Sequence, residues 1–351
     1  MYGSREEQGL EPLIRVATFN VALFGQSPTE ISQRLRAIDH DDQIQHVLEV
    51  LVHANPDIVL INELDYDSSG EAARLLADQL SRSLSDFAPY KAHAFPSNTG
   101  MPTGMDLIGT GSLSSPENAQ GFGLFPGQYG FALLSRYDVD AVRTFQTFLW
   151  RDMPNARLPD AKAGTGLGDY YSDKALAILR LSSKNHVDAH LTVEGIGGLH
   201  VLLSHPTPPV FDGPENRNGR RNADEIRFWA DYLDDADYIV DDCGGSGGLV
   251  AAKKFVILGD LNADPQTGDS VPGAIQQLLK HPRVQDPRPT GAAGSNTARF
   301  RRAMRVDYVL PSSDLNVRKS GVVWLSKNDP LARLNTASDH HLVWVDLEMM
   351  P

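Results

Sequence analysis

Short apolar runs alternate with amphipathic segments along the chain, and together they predict an α/β protein. Apolar runs predict strands at residues 14–19, 57–61, 131–135, 176–181, 200–204, 255–259, 306–310, 317–324 and 342–347. Apolar residues at helical spacing predict helices near residues 38–54, 72–80 and 222–235. The pair Asn55-Pro56 ends the first of these helices, since the residue before a proline avoids the α region.

Long loops separate several of these segments without dividing the chain. Residues 90–129 are rich in Gly, Pro and Ser, and we expect this loop to shape the mouth of a substrate site. Strand-like runs continue on both sides of every loop, so the pattern predicts an N-terminal tail at residues 1–11 and a single domain at residues 12–351. So many strands with interspersed helices fit packed sheets between helical layers.

The composition is that of a globular protein, with 41% hydrophobic and 22% charged residues among 351. No apolar run approaches the roughly 20 residues of a membrane helix. The N-terminus lacks an apolar signal core, which leaves two alternatives, a cytoplasmic protein or one whose signal peptide has been removed. The single cysteine, Cys243, excludes an intrachain disulfide and has no neighbouring histidine that would indicate a reactive thiol.

The formal net charge of −13 bears on the class of ligand. Proteins that grip nucleic acids usually present a basic face, because Lys and Arg displace the counterions around phosphates. The excess of acid therefore disfavours tight, non-specific binding to nucleic acid, although it leaves room for a local basic pocket.

Polar side chains of one chemical kind follow or interrupt the predicted strands. They are Asn20, Asn62, Glu63, His205, Asp260, Asn262, Asp307, Asp339 and His340. A lone carboxylate after a strand is usually a turn former or a helix cap. A set of this size, on strands of one sheet sandwich, instead predicts a cluster of functional groups at one rim.

Phosphoester hydrolysis needs this set of groups. The substrate is anionic and repels hydroxide, and a hard cation with oxygen ligands offsets that charge. Glu63 is the natural anchor for the metal, with Asn20 beside it, and Asp339 is expected to bind the ion directly or through water.

The remaining groups suit proton transfer and charge stabilisation. Asp260 is expected to orient or deprotonate the attacking water, and also to reach the metal, while Asn262 holds that water or the phosphate. His205 and His340 are expected to donate to the phosphoryl oxygens. Asp307 either fixes the tautomer of a histidine or is a buried carboxylate bonded to backbone amides.

These residues, in this order, resemble the endonuclease/exonuclease/phosphatase family, whose fold is DNase-I-like. The matching motifs are Thr18-Phe19-Asn20, Asn62-Glu63, Ser204-His205, Gly259-Asp260-Leu261-Asn262, Val306-Asp307-Tyr308 and Ser338-Asp339-His340. The resemblance implies a four-layer α/β sandwich, in which two facing mixed β-sheets are flanked by helices. It also implies dependence on one or two Mg²⁺ or Mn²⁺ ions, with Ca²⁺ as an alternative.

Residues 204–222 and 181–186 resemble a bacterial subgroup of that family, many of whose members are exported. Within them, Arg217, Arg220 and Arg221 are predicted to bind a non-scissile phosphate, because the arginine fork matches phosphate oxygens. The alternative for these arginines is a solvent-exposed or ion-paired helix start. Lys184 and His186 are weaker candidates for substrate contact, with a structural role as their alternative.

Three functions remain open at this stage. The first is metal-dependent hydrolysis of small phosphodiesters or phosphomonoesters, which the acidic charge favours. The second is a DNase-I-like endonuclease that cleaves DNA or RNA, which the resemblance favours and the charge disfavours. The third is a non-catalytic binding scaffold, which the complete set of polar groups disfavours. The sequence leaves the oligomeric state open.

Overall fold

The computed structural model describes residues 13–349, so the tail predicted at residues 1–11 lies outside the described part. Two mixed β-sheets face each other. The larger has six strands in the order β12 (Val317–Val322), β13 (Val343–Glu348), β1 (Leu13–Leu23), β2 (Ile58–Leu64), β4 (Phe131–Ser135) and β3 (Lys91–Ala94). The smaller has five, in the order β11 (Asp307–Pro311), β8 (Lys254–Asp260), β7 (Gly197–Ser204), β6 (His186–Val193) and β5 (Val139–Thr144). A short hairpin, β9 (Ala298–Arg299) and β10 (Ala303–Met304), stands apart.

Helices cover the outer faces of both sheets. The helices are α1 (Glu30–Arg36), α2 (Asp42–Ala54), α3 (Glu71–Ser83), α4 (Asp173–Leu176), α5 (Arg217–Leu233) and α6 (Gln276–Leu279). One apolar cluster joins α1, α2 and α3 to the six-stranded sheet, and a second joins α5 and α6 to the five-stranded sheet. A third cluster fills the space between the sheets. The predicted four-layer α/β sandwich is therefore confirmed.

Both faces of each sheet are buried, and the side chains of a strand alternate between these two faces. In β8, Val256 and Leu258 face the opposite sheet, whereas Phe255 and Ile257 face the helices. Because side chains alternate along a strand, the next inward-facing position in β8 is Asp260. The same count places polar residues at the inward-facing ends of several strands, which is how the fold builds its rim.

Some local predictions were wrong. Residues 176–181 are not a strand: α4 ends at Leu176, and the segment beyond it contributes one isolated bridge, between Arg180 and Leu149. The nearby strand is β6. It was not predicted, because polar residues occupy alternate positions in it. The helix predicted from residue 222 begins at Arg217, and β3 and β5 were not predicted. No helix within residues 13–349 has the length and apolar character needed to cross a bilayer.

Candidate active site

The polar rim is assembled from the ends of strands in both sheets. Asn20 lies near the end of β1 in the six-stranded sheet, and His340 lies shortly before β13. His205 directly follows β7, Asp260 ends β8, and Asp307 begins β11 in the five-stranded sheet. Each of these five side chains is buried, so the rim concentrates polar groups where apolar residues would otherwise continue the core.

Glu63 reaches this rim through a local break in strand alternation. Ile58 and Leu60 face the opposite sheet, so regular alternation would turn Glu63 towards the helices. Its backbone instead adopts a left-handed conformation, with φ of 55°. The carboxylate then lies 3.9 Å from Nε2 of His205. Left-handed backbone at a non-glycine residue is uncommon and concentrates at functional sites.

The centre of the site is a group formed by Asp260, Asp307 and His340. Asp307 lies opposite Asp260 in the pairing of β11 with β8. Nδ1 of His340 lies 2.9 Å from Oδ2 of Asp307, and its Nε2 lies 3.6 Å from Oδ2 of Asp260. One ligand atom from each residue lies within 4.8 Å of the others. The contact with His340 agrees with the predicted histidine-orienting role of Asp307.

Burial and charge set the protonation of this group. Burial lowers the pKa of His340, but the carboxylates of Asp307 and Asp260 outweigh it and raise that pKa to about 10. Burial, with help from Asp307 and Glu63, raises the pKa of Asp260 to about 7. Burial likewise raises the pKa of Glu63. A cationic His340 therefore lies beside Asp260, whose carboxyl group is harder to ionise than usual.

Two hydrogen bonds fix the orientation of the Asp260 carboxylate. Nδ2 of Asn20 donates to its Oδ2 at 3.1 Å, and the backbone N–H of Asn262 donates to its Oδ1 at 2.9 Å. Asn262 also has left-handed backbone, with φ of 53°, and its Nδ2 donates to the carbonyl of Pro206. Asn20 and Asn262 thus both support Asp260.

His205 and Lys184 add a buried imidazole and a buried ammonium group to the rim. Neither ring nitrogen of His205 has a hydrogen-bond partner within residues 13–349, and Nε2 lies 3.5 Å from Oδ2 of Asp260. Burial, followed by the charges of Lys184 and His340, holds the pKa of His205 well below its usual value. Burial also lowers the pKa of the Lys184 ammonium, against the attraction of Glu225, Glu63 and Asp260.

The donors at the rim fit a hard divalent cation. Carboxylate and carboxamide oxygens are the ligands that Mg²⁺ and Mn²⁺ prefer in proteins. Burial raises the pKa values of Asp260 and Glu63 because it disfavours their charged forms, and a bound cation would offset that penalty. Asp339 is exposed, and its charge acts on both Glu63 and His340, which places it at the outer edge of the same site.

The other predicted substrate residues have partners within the protein. Arg221 is buried and donates to the carbonyls of Leu181, Gln120, Arg180 and Ser182. Arg220 donates to Asp160 and Leu158, and Arg217 donates to Glu215 and Phe211. His186 is buried, and its two nitrogens contact Ser182 and the Glu225 carbonyl. These contacts favour the structural alternative for all four, and their substrate role stays a prediction.

Aromatic residues at the rim were missed by the sequence reasoning. The ring of Phe300, 45% exposed, lies edge-on to His340 with 5.3 Å between centroids. Phe24 and Phe122 both lie beside the ring of Tyr129. Single aromatic residues in loops give no sequence signal of their own. The Gly-rich segment around residues 121–130 was the one available hint, since glycines mark close backbone approach.

Comparisons with known proteins agree with the fold and identify a family. Residues 17–340 match the model of the endonuclease/exonuclease/phosphatase family. A comparison with curated proteins gives no match. Among solved structures, this chain is similar to an endonuclease/exonuclease/phosphatase from Beutenbergia cavernae DSM 12333, with 19% identity and a TM-score of 0.57 over 96% of this chain and 72% of that one.

Two further structures show the same fold. A family protein from Leptotrichia buccalis C-1013-b aligns with a TM-score of 0.53 and 14% identity over 95% of this chain and 99% of that one. The human Nocturnin catalytic domain, solved with a bound sulfate anion, aligns with a TM-score of 0.52 and 17% identity over 97% and 96%. With the family model matched over nearly its whole length, this chain belongs to the endonuclease/exonuclease/phosphatase family.

Proposed function

We propose that this protein is a divalent-metal-dependent hydrolase of small phosphodiesters or phosphomonoesters. The observation that carries the proposal is the buried group of Asp260, Asp307 and His340, with Glu63 and His205 beside it. Buried acids and bases with shifted pKa values concentrate at catalytic sites. The net charge of −13 favours a small substrate over a polyanion.

The metal-binding residues in this proposal are Glu63, Asn20, Asp339 and Asp260. A divalent cation held there neutralises charge on the phosphoryl group and lowers the pKa of water. Mg²⁺ and Mn²⁺ are the expected ions, because all of these side chains offer oxygen ligands. The number of ions, one or two, is left to experiment.

Proton transfer and charge stabilisation fall to the side chains around the metal-binding groups. Asp260 accepts a proton from the attacking water, for which a pKa near 7 is well matched to neutral conditions. Asn20 and Asn262 hold its carboxylate in one orientation during this transfer. The His340 imidazolium, oriented by Asp307, donates through Nε2 to the phosphoryl oxygen as negative charge grows there.

His205 and Lys184 complete the phosphate site. His205 is neutral, and its unpartnered ring is free to donate one hydrogen bond to a second phosphoryl oxygen. The Lys184 ammonium attracts the anionic substrate, since its charge interacts with Glu63 and Asp260 at the centre of the rim. Water attacks phosphorus in line, and no covalent enzyme intermediate forms, so a trapped phosphoryl-enzyme would contradict this mechanism.

The test is an assay of the purified protein on bis-p-nitrophenyl phosphate, p-nitrophenyl phosphate and plasmid DNA. Each substrate is incubated with Mg²⁺, with Mn²⁺ and with chelator. Turnover of the small esters that needs the metal, with the plasmid intact, is the expected result. The ratio of the two small esters then distinguishes a diesterase from a monoesterase. No turnover of any substrate would contradict the proposal.

A second candidate function, endonuclease activity, is favoured by the hairpin of β9 and β10. The hairpin carries three exposed arginines around Phe300, Arg299 at the end of β9 and Arg301 and Arg302 in the turn. None of the three has an acidic partner in the described part of the chain. Exposed arginines beside a ring that contacts His340 suit a nucleic-acid backbone. Nicked plasmid with little turnover of the small esters would make this the better function.

A further inference from the structure

Three neighbouring aromatic rings, one exposed and two partly buried, lie near Glu63, a proposed metal-binding residue. We call Phe24, Phe122 and Tyr129 the aromatic platform. The ring centroids of Phe24 and Tyr129 are 4.6 Å apart, and those of Phe122 and Tyr129 are 6.4 Å apart. Phe122 is 52% exposed, and the Tyr129 phenol interacts electrostatically with the Glu63 carboxylate. The platform therefore borders the site where the phosphoryl group is expected.

Two buried polar side chains hold the backbone beneath the platform. The Asp65 carboxylate accepts from the backbone N–H of Gly25 at 2.7 Å and from that of Tyr129 at 3.0 Å. The Gln128 carboxamide donates to the Gly25 carbonyl at 2.8 Å and accepts from the Leu124 N–H at 2.7 Å. The loop that carries Phe24 and the loop that carries Tyr129 are thereby joined to each other.

Glycines allow the loop that carries Tyr129 to pack closely against neighbouring backbone. A Cβ atom on Gly121 would lie 2.0 Å from the Ser183 carbonyl oxygen, and one on Gly127 would lie 2.3 Å from that of Tyr66. Tyr129 itself has left-handed backbone, with φ of 56°. Strain of this kind persists where the surrounding structure enforces it. The rings, of which Phe122 is exposed and Phe24 and Tyr129 are partly buried, are therefore held on a fixed frame, and a fixed frame lowers the entropy lost on binding.

The geometry suits a planar ring better than other occupants. Phe24 and Phe122 are inclined to Tyr129 by 50° and 36°, so the platform presents separate ring faces at an angle to one another. Ring faces bind other rings by offset or edge-to-face stacking. The nearby carboxylates of Glu63 and Asp65 disfavour an anionic group on the platform itself.

We propose that the aromatic platform binds a planar aromatic group carried by the phosphoester substrate. The inference rests on the proposed function, because it assigns the substrate class of the same site. The phosphoryl group then lies at the rim, and the ring attached to it stacks beside Glu63. Recognition of the ring adds affinity that a small alkyl ester cannot obtain.

The test compares phosphonates that the enzyme cannot hydrolyse. Phenylphosphonate, cyclohexylphosphonate and methylphosphonate share the anionic group and differ in the attached group. Each is assayed as a competitive inhibitor of the Mn²⁺-dependent hydrolysis of bis-p-nitrophenyl phosphate. We expect phenylphosphonate to bind about tenfold more tightly than methylphosphonate, as one stacked ring allows. Cyclohexylphosphonate has a ring of similar size that is not planar. Its affinity should therefore be close to that of methylphosphonate.

Two variants locate the effect. Phe122→Ala removes an exposed ring and should bring the ratio of phenyl to methyl affinity close to one. Phe87→Ala is the matched control, because Phe87 is also exposed, at 40%, and lies against Arg136 near the start of β2, at the opposite end of that strand from Glu63. This control should keep the wild-type ratio. A ratio that Phe122→Ala leaves unchanged would overturn the proposal.

Other outcomes would also overturn it. Equal affinity for phenyl- and cyclohexylphosphonate would show a general apolar surface. Binding to phosphatidylcholine vesicles that depends on Phe122, with equal affinity for all three phosphonates, would show a membrane contact. If the protein hydrolyses nothing, the same phosphonates are titrated calorimetrically into the Mn²⁺-treated protein. Selective binding of phenylphosphonate that Phe122→Ala abolishes would then support the platform, although the proposed function had failed.

Discussion

The rim site and the start of α5 both contain buried charged or polar groups, but these groups differ in their hydrogen-bond partners. At the start of α5, Arg221 donates to several backbone carbonyls, and Arg220 has Asp160 as its partner. At the rim, both ring nitrogens of His205 lack partners within residues 13–349, and Asp260 is held with its pKa raised to about 7. Buried polar groups in proteins are normally satisfied. Arg221 at the start of α5 is therefore satisfied by the protein, whereas His205 at the rim is not satisfied within the described part of the chain.

The same contrast appears between two buried histidines. The ring of His186 lies between Phe228 and Trp229, and burial lowers its pKa to about 4. The ring of His340 lies beside Asp307 and Asp260, and its pKa is about 10. Burial alone thus produces a neutral structural histidine, and carboxylates are needed to produce a cationic one.

The largest expected effect is on the rim. Asp260→Asn should lower turnover by about 10³-fold, because the variant cannot accept a proton from water. Steady-state kinetics on the best small ester, with circular dichroism to confirm folding, measures this. Asp188→Asn is the matched control, since Asp188 is also buried and hydrogen-bonded, to His200 and Tyr232, and should keep most of its turnover. Wild-type turnover in Asp260→Asn would remove Asp260 from the mechanism.

The next effect belongs to the scaffold. Arg221→Ala should lower the free energy of unfolding by about 3 kcal/mol, because several buried carbonyls lose their donor. Urea denaturation measures the loss, and Arg220→Ala is the milder control, with its side chain 27% exposed. Neither variant should change the Michaelis constant. A raised constant for Arg220→Ala would instead restore the predicted phosphate role of that arginine.

The pH dependence of stability sharpens the comparison of the histidines. The pKa of His186 is about 4 in the folded protein and about 6.5 when unfolded. The unfolded chain therefore takes up a proton first as the pH falls, and stability is lost between those values. This group should contribute a loss of about 2 kcal/mol between pH 7 and pH 4.5.

Urea denaturation of the wild type and of His186→Gln at both pH values tests this. The variant should show a smaller loss of stability on acidification than the wild type, even if it is less stable at pH 7. Equal losses in the two proteins would contradict the assignment of a neutral His186.

The smallest effect concerns the orientation of His340. Asp307→Asn should lower turnover by about tenfold, typical of a residue that supports a functional one. The variant also lowers the pKa of His340 from about 10, because the carboxylate with the largest raising effect on that pKa is lost. The imidazolium exists below its pKa, so the alkaline limb of turnover should move to lower pH. A pH profile of both enzymes measures the shift, and an unmoved limb would contradict the role of His340 as a cation.

Much of the candidate site could be predicted from single positions in the sequence. Asn20, Glu63, His205, Asp260, Asp307 and His340 lie in or beside strands, and the structure brings them together at one rim, while their roles stay predictions. The roles of the arginines of α5 were harder to predict, because the sequence shows the charge of an arginine but not its hydrogen-bond partners.

What the sequence determined by itself is the order of apolar strands and the polar residue at each inward-facing end, since alternation along a strand is a local property. The tertiary structure alone decided which of these groups stay unsatisfied, because that depends on neighbours far away in the chain. The left-handed turn that brings Glu63 to the rim was decided in the same way. So was the aromatic platform, since Phe24 and Tyr129 are over a hundred residues apart and meet only when two loops pack against Asp65.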